Sequence, residues 1–195
     1  YLARDGRLYV SCGNSNSVWV IDTAKMRAVH QINTAMYANS PIGSTPNALI
    51  ADKDEKMLFV ANADNNTVAV INISEAEEYN VMGFIPTGWY PTSLELSGDS
   101  KKLYIGNSKG LGGYANIRGP HSPLAEDGST EGKGSIKQLM KGTIEIVELS
   151  DLKSKIKGYT QQAMNNSPYR DEQRTLAVAP APNTRTIVPR EVGVG

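Results

Sequence analysis

The stretch NTVAVIN at residues 66–72 decides the fold, because the chain writes it three times: NSVWVID stands at residues 16–22 and GTIEIVE at residues 142–148. Each copy opens on a polar residue and continues with β-branched residues at alternating positions, the two-residue period of a strand with one buried face. A phrase repeated at long intervals points to a repeated supersecondary unit rather than to a lone hairpin.

Outward from that phrase, a second one precedes each copy: LYVSC at residues 8–12, LFVAN at 58–62 and LYIGN at 103–107. Leu8 and Val18 stand ten residues apart, as do Leu58 and Val68, so one hairpin is written twice in one register. The polar segments at residues 13–17 and 62–66 supply its turn, since short polar side chains bond their own backbone and tolerate left-handed conformations. ARDGR, DKDEK and SGDSK mark another turn upstream, and TPNALIA and YPTSLELS place a proline where a further strand opens and need not donate a hydrogen bond. AVHQINT and VMGFIPTG supply a fourth strand.

The spacing from Tyr9 to Phe59 is fifty residues and from Phe59 to Tyr104 forty-five, close to the roughly 40–50 residues of a four-stranded propeller blade. Sheets this small bury their faces only by stacking on neighbours around an axis. The expected fold is therefore all-β: an incomplete β-propeller of about three four-stranded blades, near residues 1–40, 41–88 and 89–160, within a propeller segment 1–170. The first unit lacks its opening strand. Closed propellers carry roughly four to eight blades, so the expected partners are missing blades of a longer parent polypeptide, or another copy held through open blade edges.

In the third unit Leu103 and Ile144 lie 41 residues apart, about 31 more than the hairpin requires. This insertion, residues 108–141, is rich in Gly, Pro, Ser and charge, and a loop of such length is either functional or disordered. Loops between the second and third strands emerge on the same rim as the connections between blades, so the insertion should share a mouth with residues 33–46 and 86–93. The candidate ligand-binding residues are therefore Tyr37, Trp89, Tyr90, Lys109, Arg118 and His121, which combine aromatic surface with charge. The plainer reading is that Trp89 and Tyr90 only fill the gap between blades. Beyond the third hairpin, Leu152, Ile156 and Tyr159 fall at helical spacing with Ser150 or Asp151 as a cap, which predicts a short helix. Residues 171–195, mixed in Pro and Gly, read as a linker toward a following domain.

Composition narrows the function classes. Lys plus Arg equals Asp plus Glu at 20 each, so no global basic field gathers nucleic acid. No apolar run approaches the roughly 20 residues of a membrane-spanning helix. The single cysteine, Cys12, forms no intrachain disulfide and reads as a buried free thiol. Signals for chemistry are weak. His30 sits in a strand pattern, DKDE at residues 52–55 lacks the spacing of a calcium loop, and SKGLGGYANIRGP lacks the ending of a phosphate-binding loop. No G-x-S-x-G elbow occurs. No catalytic residue, metal ligand or cofactor is expected in this segment.

LYVSCGNSNSVWVIDT and LFVANADNNTVAVINI resemble the YVTN-type β-propeller repeats of bacterial surface-layer and secreted proteins. The ordered series PTGWYPTSLELSGDSKKLYIGNSKGLG, then Gly119 and Pro120, LMKGTIEIVEL, YTQQAMNNSPY and VPREVGVG resembles a subgroup in which such a propeller precedes an alkaline-phosphatase-like phosphoesterase domain. The resemblance implies a noncatalytic scaffold and binding segment, an enzymatic domain following in the parent chain, and a periplasmic or extracellular location. A propeller lactonase-like hydrolase, and a cell-surface adhesion or glycan-binding module, are the competing readings. A small molecule or a glycan is the expected ligand.

Overall fold

The computed structural model describes residues 1–37, 40–112 and 140–167. These form three antiparallel sheets. The first holds β1 (Arg7–Cys12), β2 (Ser17–Asp22) and β3 (Arg27–Asn33). The second holds β4 (Pro46–Ala51), β5 (Met57–Asn62), β6 (Thr67–Asn72) and β7 (Asn80–Pro86), in that order. The third holds β8 (Pro91–Leu96), β9 (Lys102–Asn107) and β10 (Thr143–Glu148). A helix, α1 (Leu152–Asn166), follows. This is the all-β, partial propeller arrangement that the repeat requires: three small sheets in sequence order, with no closed barrel.

The same register recurs in each sheet. Leu8 faces Ile21, Leu58 faces Ile71 and Leu103 faces Val147, so the insertion leaves the third hairpin paired like the other two. Bulges recur at matching places: between Val20 and Ile21 against β3, and between Val70 and Ile71 against β7. They recur again at the openings of β4 and β8. A bulge adds local twist, and repeating it at one register gives each blade the same twist. The hairpin turns are single 3-10 turns closed by Asn16 (φ 49°) and Asn66 (φ 52°) in the left-handed region, as the Asn-rich segments predict.

Stacking follows from the alternation along the strands. Tyr9, Val18, Val20 and Ile32 of the first blade meet Leu58, Val60, Ala69 and Ile71 of the second in one apolar cluster. The opposite face of the second blade, Phe59, Val68, Val70 and Ile85, meets Leu103, Ile105 and Val147 of the third. Among the described residues, only the middle blade is thus covered on both faces.

The third unit departs from the four-strand expectation: among the described residues it has three strands, and α1 stands where a fourth would begin. The apolar residues after β10 recur at the helical period, so they suit a helix and not a pleated edge. Leu152 and Ile156 join the second seam and Ala163 the first, so α1 lies along β7 and caps the outer edge of the middle blade. The Phe84 N–H donates to Thr160 Oγ1 at 2.9 Å, satisfying an edge donor. Gly83 permits this approach, since a Cβ there would stand 2.8 Å from Ile156 Cγ1. Cys12 is half-buried rather than buried. The expected linker, residues 171–195, lies outside the described residues.

Candidate functional site

A groove of about 790 Å³ opens on the rim where the hairpin turn of the middle blade meets the connections between blades. Its walls come from four separate loops and from the end of α1: Met36, Tyr37 and residues 40–44 on one side, Asp64 to Asn66 below, Trp89 and Tyr90 with Lys109 opposite, and Asn166 and Ser167 at the helix end. Tyr37, Trp89, Tyr90 and Lys109, four of the residues singled out in the sequence, line this one groove. Arg118 and His121 lie outside the described residues.

The left-handed asparagines build the walls. Asn16 Oδ1 accepts from the N–H groups of Gly43 and Ser44 at 2.9 and 2.7 Å, and its Nδ2 donates to Pro41 O at 2.8 Å. One side chain thereby fixes the loop entering the middle blade. One blade on, Asn66 Oδ1 accepts from Tyr90 N–H at 2.8 Å. Both loops close on a pre-proline residue with positive φ, Thr45 (51°) and Tyr90 (62°). A residue before proline favours extended backbone, so both are held against local preference by the surrounding bonds.

Around Trp89 the backbone is pinned on both sides. Its N–H donates to Gly110 O at 2.7 Å, Lys109 N–H donates to its carbonyl at 3.1 Å, and Ser108 N–H donates to Tyr90 O at 2.9 Å. The indole rests on Gly112, where a Cβ would come within 3.6 Å of the ring, and remains 50% exposed. The Lys109 ammonium lies 4.1 Å from the centroid of the Tyr90 ring, a cation–π contact. The floor is polar: Thr45 Oγ1 donates to Asp64 Oδ2 at 2.5 Å, and Asn65 Nδ2 donates to Ser44 Oγ at 2.8 Å. At the far end Asn166 and Ser167 stand at the C-terminal end of α1, which carries the negative pole of the helix dipole.

Glu145 was not singled out in the sequence. It occupies the register of Trp19 and Ala69, an inward position, and accepts from the Gly88 N–H at 3.2 Å behind the Trp89 loop. Burial pushes its carboxyl above the usual range, opposed by the Gly88 and Asn107 hydrogen bonds. The signal was legible: a carboxylate at a position the repeat fills with Trp or Ala. His30 lies away from the groove, its ring 4.7 Å from that of Tyr79. No cluster of three or more metal-ligating side chains occurs among the described residues.

No family model matches the chain, and no curated protein matches it. Solved structures do. Hydrazine synthase of Kuenenia stuttgartiensis is 22% identical over 53% of this chain and 26% of its own, with a TM-score of 0.45. A protein described as a putative 6-phosphogluconolactonase from Bacteroides uniformis is 16% identical over 51% of this chain and 29% of its own, also at 0.45. A luciferin-regenerating enzyme is 14% identical over 74% of this chain and 42% of its own, at 0.42. The chain thus spans less than half the length of each, and none of their activities is carried over to it.

Proposed function

We propose that this chain is a noncatalytic propeller segment that binds a small acidic glycan in its rim groove. One observation carries the reading: four loops and a helix end, each fixed by hydrogen bonds, bring a half-exposed indole, a lysine and a polar floor around one cavity of ligand size. A flat indole face accepts the C–H face of a sugar ring. Lys109 already covers the π face of Tyr90, which disfavours a cationic ligand and leaves an ammonium for an anionic group. The negative pole at the C-terminal end of α1 suits hydroxyl donors at the other end.

The test uses the chain in a Trp19→Phe background, so that Trp89 alone reports. Glucuronate should shift its fluorescence saturably and glucose should do so more weakly, with Lys109→Gln removing the difference between the two. The absence of any saturable shift with either sugar contradicts the reading. On the ordered motif series alone, the proposal extends to a parent that is exported and carries a phosphoesterase-like domain after the propeller. An encoded frame without such a domain removes that extension and leaves the groove untouched.

A further inference from the structure

The shared register lets the faces of the three blades be compared position by position. Val18 and Val20 of the first blade are 0% exposed beneath the second, and their equivalents Val68 and Val70 are 0% exposed beneath the third. The next equivalents, Ile144 and Ile146, are 77% and 56% exposed. Tyr9 and Phe59 are buried, whereas Tyr104 at the same position is only half-buried.

The opposite faces show the mirror pattern. Leu58, Val60 and Ile71 of the second blade are buried, and so are Leu103, Ile105 and Val147 of the third, while Leu8, Val10 and Ile21 of the first are only half-buried. Among the described residues there is therefore an open face of each kind, and faces of these two kinds already pack on each other twice.

We propose that the open face of the third blade docks the open face of the first blade of a second copy, head to tail. The occupant follows from continuity with the two seams: Leu8, Val10 and Ile21 are the register equivalents of the residues that cover Val18 with Val20 and Val68 with Val70. Exposed apolar side chains that share one face mark an interaction surface better than single ones do, and Ile144 and Ile146 lie two residues apart on one face of β10. The contact is heterologous, so it either closes a ring of copies or extends into an open chain of them.

Sedimentation of the full chain from nanomolar to high micromolar concentration tests this. The expected result is a concentration-dependent mass of twice the 21.1 kDa protomer or higher multiples. Ile144→Lys with Ile146→Lys should return the protomer mass with an unchanged circular dichroism spectrum. Val10→Lys, on the other open face, should do the same. Mixing these two variants leaves one intact face of each kind and should restore a dimer. A wild-type chain that stays a protomer throughout overturns the proposal, as does self-association that survives the double lysine variant. Recovery of no dimer from the mixture, when each variant alone is folded, rules out the head-to-tail arrangement.

Discussion

The middle and third blades carry one hairpin in one register, yet the same alternation means different things in them. In β6 the residues Val68 and Val70 are sealed, while in β10 Ile144 and Ile146 stand in water. The middle blade has its fourth strand, and α1 caps that strand's outer edge; the third has given its following residues to that helix. A two-residue period therefore specifies which side chains share a face, and not whether anything covers that face.

The sharpest way to break the comparison is to put the same charge at equivalent positions. Val70→Lys buries an unpaired ammonium between two blades and should cost about 3–5 kcal/mol, a large share of a domain's stability, read as lost cooperative unfolding in denaturant. Ile146→Lys in the dilute protomer should change stability by no more than about 0.5 kcal/mol. Equal losses at the two sites would show that the faces do not differ.

Next comes the helix cap. Gly83→Val drives a side chain into Ile156 and Thr160 and should cost about 1–3 kcal/mol. Amide exchange should then accelerate across α1 and β7 while β1 and β2 keep their protection. Uniform acceleration would mean that α1 is not an independent cap.

Of similar size is the effect at the turns. Asn66→Ala forces a left-handed alanine and strands the Tyr90 N–H, for a loss of about 2 kcal/mol, whereas Asn66→Gly keeps the conformation and should lose about half of that. Thermal midpoints separate the two contributions.

The smallest effect is a pH dependence at Glu145. Its carboxyl is raised in the folded chain, so the folded state binds its proton more tightly than the unfolded chain does. Stability from this group is full below the ordinary carboxylate range and declines as pH rises through the raised value. Glu145→Gln should flatten that decline and leave the chain slightly more stable at neutral pH. A variant that keeps the wild-type slope would assign the dependence elsewhere.

Much of the fold was legible because local chemistry and global packing agree in it. Asn16 and Asn66 mark the turns by tolerating positive φ, Pro46 and Pro91 mark strand openings, and Leu152 with Ile156 announces α1 by its period. The groove was legible in part. Tyr37, Trp89, Tyr90 and Lys109 follow from which loops share a rim, but their spacing depends on hydrogen bonds between blades that no local pattern encodes. That the third blade has three strands among the described residues was not legible, since β10 has the same alternation as β2 and β6. Glu145 is hidden in the sequence because the apolar members of the alternation define the strand without it.

Thiol labelling tests the stacked-blade account most directly. In a Cys12→Ser background, cysteine is placed singly at Val20, Val70 and Ile146, and each dilute protomer is treated with a thiol reagent under native conditions. The account predicts that Val20→Cys and Val70→Cys react only at the rate of global unfolding, while Ile146→Cys reacts nearly as fast as in denaturant. Comparable rates at the three sites would contradict it.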